Sequence, residues 1–109
     1  MVEQSKDMLE KGMQAIELAK ASGKVKAGSN ETTKALERGT AKLVAIAKDV
    51  SPPEIVMHIP LLAKEKGVPC IEVATKEELG NLSGLEVPTS AIVIIEEGDA
   101  KKIIKELKE

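Results

Sequence analysis

Residues 24–47, KVKAGSNETTKALERGTAKLVAIA, carry both structural signals from which the rest of the chain can be read. A helix opens at Gly28-Ser29-Asn30. Ser29 and Asn30 are both good N-caps, because a short side-chain oxygen can accept from the orphan amides of a first helical turn. The stretch closes on LVAIA (residues 43–47), a short continuous apolar run of the kind that forms a strand covered on both faces. A polar helix start followed by a doubly covered strand points to an α/β chain.

The segments on either side agree. Upstream, residues 5–22 set Leu9, Met13, Ile16 and Ala19 on one stripe, with Met8 and Ala15 beside it, which predicts an amphipathic helix closed by Gly23. Downstream, residues 49–53 form a turn, and Pro52 and Pro53 suit the entry and first position of a helix from Glu54 to about residue 66. Pro60 falls inside that helix and predicts a kink or restart, since proline removes an amide donor and clashes with the preceding turn. Gly67 ends the helix, and residues 70–74 read as a second buried strand. Thr75 caps a short helix, TKEELGNL, with Glu78 placed as in a capping box. The loop SGLEVPTS (residues 83–90) leads to AIVII, the strongest strand signal in the chain. Asp99 is then the expected cap of a last helix whose Ile103, Ile104 and Leu107 face inward. Helices alternating with short apolar strands predict a three-layer α-β-α sandwich around a small sheet. No repeat or linker divides residues 1–109, so a single domain is expected.

Composition limits the function. The chain is 42% hydrophobic and 31% charged, the balance of a globular protein. No apolar run approaches the roughly 20 residues a bilayer requires, and the N-terminus has no apolar signal region, so a cytoplasmic, membrane-free protein is expected. Cys70 is the one cysteine, which excludes an internal disulfide; in the apolar run PCIEV it reads as an inert core residue. Phe, Tyr and Trp are all absent, which excludes single-strand binding by base stacking on aromatic platforms. A net charge of -2 also argues against nonspecific coating of nucleic acid.

The local charge is different. Residues 24–48 hold six basic and two acidic side chains, a balance of +4 that a partner would meet in place of the average. Helical spacing stacks Asn30, Lys34 and Arg38 at i, i+4 and i+8, with Glu31 three residues before Lys34. A polar helix start of this kind is also the ordinary form of a solvated cap. Gly28, which permits a close backbone approach, and the attraction of a helix N-terminus for anionic groups point past that reading. Glu31 suits guanine, whose Watson–Crick edge offers N–H donors while its Hoogsteen edge offers acceptors. A carboxylate and a lysine side by side can read both edges when the base is not in an ordinary pair.

With these residues assembled, GSNETTKALERGTAKLVAIAKDVSPPEIVMHIPLLAKEKGVPCIEV, followed by TKEELG and GLEVPTSA, resembles the archaeal ribosomal protein L-seven-Ae family. The resemblance runs from about residue 6 to residue 108, and its most specific parts are G-x-N-E-x-x-K with E-R-G behind it and P-P-E-I-V-x-H-x-P-L-L. It implies the three-layer sandwich, with a small mixed four-stranded sheet. It also implies binding to kink-turns, sharply bent RNA internal loops in which tandem sheared G·A pairs follow a short bulge. Carried over by position, Asn30, Glu31 and Lys34 match the residues that read the guanines. Lys26, Gly28, Arg38 and Lys42 match backbone and phosphate neighbours. Leu85, Glu86 and Val87 match a second RNA-facing loop that meets the bulged nucleotides, and Ile55 and Lys76 match flanking positions. The chain departs from the family at Ala45 and Glu72, where an aromatic residue is frequent, and at Asn81-Leu82, where a basic one is.

The expected partners are therefore kink-turns of ribosomal RNA, guide RNA or ribonuclease P RNA, together with proteins of those particles; the chain itself is expected to be a monomer with no cofactor. The alternative is a protein-interaction module on the same fold with RNA binding weakened or lost, motivated by the acidic total and the missing aromatics. Catalysis has little support: His58 has no second His or Cys at ligand spacing, the pairs Glu77-Glu78 and Glu96-Glu97 would diverge, and no nucleophile or phosphate-loop motif occurs.

Overall fold

AIVIIE, residues Ala91–Glu96, is the strand about which the sheet is assembled (β4). In the computed structural model, which describes residues 6–51 and 54–108, it pairs antiparallel on both sides. One neighbour is β2 (Leu43–Ala47), every residue of which is buried; the other is β1 (Lys24–Ala27), at the sheet edge. β3 (Cys70–Val73) adds to β2 in parallel, with Val44 opposite Cys70 and Ala47 opposite Val73, so the order is β1-β4-β2-β3 and the sheet is mixed. The parallel step requires a crossover, supplied by α3 (Glu54–Lys66).

The remaining helices are α1 (Lys6–Ser22), α2 (Ser29–Arg38), α4 (Lys76–Leu82) and α5 (Lys101–Lys108). α1 packs with α4 and α5, and α2 with α3. Strand alternation on β3 shows that these are opposite faces. Ile71 lies so close under α1 that a Cβ at Gly12 would collide with it, whereas Glu72 borders a groove beside α3. The core between the layers is aliphatic throughout, with Ile16, Leu36, Leu43, Ile59, Ile71, Leu79, Ile92, Ile94 and Ile104 fully buried.

β1 is the element that the sequence concealed: two lysines leave only Val25 and Ala27 as apolar positions, and as an edge strand it exposes Lys24 and Lys26. At Pro60 the helix does not restart. α3 runs through undivided, because Val56, Ile59 and Ala63 are buried on one stripe spanning the proline and hold both halves in register. Asp99 is not the cap of the last helix. Its amide donates to Ser22 Oγ (2.8 Å) within a short 3₁₀ turn, Gly98–Ala100, that feeds α5. In α5, Ile104 is buried while Ile103 and Leu107 are half-buried. Pro52 and Pro53 lie outside the described residues. No helix among the described residues is long and apolar enough to cross a membrane.

Candidate nucleic-acid interface

The sheet directions bring the ends of β1, β2 and β3 and the start of β4 to one edge of the molecule. Gly28 sits there, its amide donating to the Ala91 carbonyl (2.7 Å). Its backbone, φ 107° and ψ 148°, lies in a region open essentially to glycine alone, and nothing occupies the 4 Å around the position a Cβ would take. The chain thus turns from β1 into α2 beneath open space. Gly28, and not Ser29 or Asn30, is the N-cap. Its carbonyl accepts both the amide (3.1 Å) and the hydroxyl (2.8 Å) of Thr32, and no side chain caps the first turn.

Along α2 runs a shallow depression of about 200 Å³. Lys24 and Lys26 enter from β1, Glu31, Lys34 and Arg38 from α2, and Thr40 and Ile95 complete it. Four cations therefore surround one carboxylate. Glu31 Oε2 lies 3.8 Å from Lys26 Nζ, both side chains nearly half exposed. Such a solvent-screened pair contributes at most about 1 kcal/mol, so either group can exchange its partner for a ligand. The row that shares the depression is Glu31, Lys34 and Arg38, at i, i+3 and i+7; Asn30 is exposed on the first turn beside it but does not line it. Lys42 stands apart. Half-buried at the start of β2, with its amide donating to Ile94 O (2.8 Å), it lies toward the opposite end of the sheet from Gly28.

Loop 83–90 reaches the Gly28 edge through β4, and its shape is imposed by α4. A Cβ at Gly80 would collide with the Val87 carbonyl, so only glycine lets the loop close over the helix. Leu85 N donates to Gly80 O (2.9 Å) and Thr89 N to Lys76 O (3.1 Å), while the buried Thr89 hydroxyl donates to Ala91 O (3.0 Å). The start of α4 is tied down as well: Thr75 Oγ1 accepts from Glu78 N (3.1 Å), and Asp49 Oδ1 accepts from Lys76 N (2.7 Å). The loop presents Glu86 and Val87 to solvent, Val87 at 62% exposure, and keeps Leu85 half-buried. Glu77, Asn81, Glu86, Val87 and Pro88 line a hollow of about 320 Å³ there. Ile55, 40% exposed, opens α3.

Residues 10–104 match the Ribosomal protein L7Ae/L30e/S12e/Gadd45 family. The chain belongs to this family. Among solved structures it is similar to the Giardia lamblia 15.5kD RNA binding protein, with a TM-score of 0.85 and 30% identity, over 96% of this chain and 88% of that one. Its fold is that of the family, and it is a non-enzymatic member.

In this member of the family, two side chains owe their state to packing. Thr33 spends its one hydroxyl proton on Ser29 O (2.8 Å), so at 2.7 Å His58 Nε2 must be the donor and Thr33 Oγ1 the acceptor. That contact ties α3 to α2 at Thr33. Burial, followed by the nearby Glu72 carboxylate, pushes the Cys70 thiol up to about 12, so it stays protonated and unreactive. No cluster of three metal-ligating side chains occurs among the described residues. The groups that sequence reading missed are Lys24 and Thr40 in the depression and Asp49, Gly80 and Thr89, which build the second loop. Lys24 lay within the basic stretch without being singled out, while Asp49 and the Thr89 amide carry no local signal, because their partner Lys76 lies far along the chain from both.

Proposed function

We propose that this protein binds RNA and that its target is the kink-turn, read through the guanines of tandem sheared G·A pairs. The observation that carries the reading is the single carboxylate set among cations: Glu31, with Lys26 at 3.8 Å and Lys34 and Arg38 in the same depression, beside the open backbone of Gly28. A purely phosphate-binding surface gains nothing from Glu31. A guanine in a sheared pair keeps N1–H and O6 free, so a carboxylate and an ammonium each find a partner. Asn30 adds an amide at the same helix turn. Lys26, Gly28 and Arg38 serve the adjoining phosphates and sugars, Leu85, Glu86 and Val87 meet the bulged nucleotides, and Ile55 and Lys76 flank them; Lys42, toward the other end of the sheet, is left outside this contact. With no aromatic ring in the chain, Val87 packs on an extruded base by apolar contact.

Mechanistically the protein selects the bent RNA from an ensemble of bent and open forms, shifting it by the difference in its affinities for the two. The bent RNA then offers surfaces to other proteins of the particle. The settings proposed are the large ribosomal subunit, box C/D and H/ACA guide ribonucleoproteins and ribonuclease P. A gel shift in magnesium-free buffer tests the reading. Retention of a kink-turn RNA and loss of retention when its G·A pairs become G·C pairs is the expected result; equal retention of both leaves only phosphate binding, and retention of neither leaves the interaction-module alternative.

A further inference from the structure

One face of α3 has no partner among the described residues. Val56, Ile59 and Ala63 are buried toward the sheet, while Glu54, Met57, Leu61 and Lys64 follow one another along the outer side at i, i+3, i+7 and i+10, all exposed. Leu61 is 71% and Met57 62% exposed. Beside them lies an open groove of about 540 Å³, formed by Ile46, Ala47, Val56, Met57, Pro60 and Leu61, with Lys48 and Glu72 also lining it. Two aliphatic knobs thus adjoin an aliphatic hole.

We propose that this face pairs two copies of the chain through antiparallel α3 helices. The charges decide for a second copy in that orientation. α3 is acidic in its first turn at Glu54 and basic in its last at Lys64 and Lys66. Antiparallel packing about a two-fold axis beside Ile59 sets Met57 against the second copy's Leu61 and, in the same register, Glu54 against the second copy's Lys64. A parallel pair would instead bring like charges together. Neither Glu54 nor Lys64 makes an ion pair with another described residue, so both are available. The helix dipoles also oppose, which favours the pair. An isologous contact of this kind closes on itself and stops at a dimer. One helix seam and its groove fall at the small end of the range of specific interfaces, and no aromatic anchor strengthens it, so the dimer is weak, with Kd on the order of 100 µM. Dilute protein is a monomer. The inference does not depend on RNA binding.

Sedimentation of the RNA-free full chain from about 5 µM to about 1 mM, a range that brackets such a Kd, tests it. The wild type is expected to pass from monomer to dimer. Leu61→Glu, at a position exposed enough to leave the thermal midpoint unchanged, should raise Kd more than about tenfold by burying a charge at the centre of the seam. Glu54→Lys or Lys64→Glu alone should each raise Kd by about three- to tenfold, and the double exchange should restore it to within about twofold. A wild type that stays monomeric to 1 mM overturns the proposal and leaves the groove to a helix of another protein. Dimerisation that is indifferent to Leu61→Glu, or no recovery in the double exchange, overturns the register.

Discussion

Glu31 and Gly28 show how far single residues decide this interface. Glu31→Gln removes an acid, so if attraction to phosphate governed binding the variant would bind RNA more tightly. If the carboxylate takes guanine N–H groups, binding to a kink-turn weakens by roughly 1.5–3 kcal/mol, the range for a hydrogen bond to a charged group; titration calorimetry reads the sign. Lys34→Ala is expected to cost about 1–3 kcal/mol against RNA with intact G·A pairs and much less against a simple duplex. The same loss on both RNAs would make Lys34 a phosphate contact only. Gly28→Ala meets no steric obstacle, yet its backbone at φ 107° is strained for any side chain, so stability should fall by about 1–3 kcal/mol in denaturant unfolding. Cys70, its thiol pushed up to about 12, should resist alkylation at pH 8 in the folded protein and react once denatured. Because the unfolded thiol ionises first, the stability that burial of the neutral thiol provides is lost as pH climbs from about 8.5 toward 12.

At the scale of elements, loop 83–90 is a consequence of α4. Gly80→Ala would drive the Val87 carbonyl away from the helix and carry Leu85, Glu86 and Val87 with it, and Leu85 N would lose its acceptor geometry at Gly80 O. The expected outcome is weaker RNA binding with the α2 depression untouched, visible as amide shifts confined to α4, the loop and its neighbours. Uniform shifts over the whole chain would instead indicate general unfolding. Elements were legible where one signal dominated. LVAIA and AIVII are continuous apolar runs, Thr75 has its acceptor role within three residues, and α1 repeats its apolar stripe over about three turns. β1 was not, since KVKA has too little apolar alternation to be distinguished from a basic loop and becomes a strand only by pairing with β4. The cap of α2 fell one residue before Ser29 because backbone conformation at Gly28, which side-chain chemistry does not report, places the turn. Pro60 and Asp99 differ for a common reason: burial of neighbouring residues and the Ser22 hydroxyl, both tertiary, override the local rule.

For the molecule as a whole, an aliphatic core between two helical layers supports a sheet edge to which both the start of α2 and loop 83–90 are attached. Truncating a fully buried side chain at the sheet centre, as in Ile92→Ala, should cost about 2–5 kcal/mol and weaken RNA binding only through the fraction unfolded. On the proposed function the sheet acts as scaffold, and recognition would rest with α2 and the loop. The direct test of that division couples one protein atom group to one RNA atom group. Replacing the guanine of a sheared pair by 2-aminopurine removes N1–H and O6 but keeps the amino group, and can be combined with Glu31→Gln in a double-mutant cycle read by calorimetry. The two changes are expected to be non-additive, with a coupling of at least about 1 kcal/mol. Additive losses, or no loss from Glu31→Gln on the unmodified RNA, would contradict guanine reading by this carboxylate.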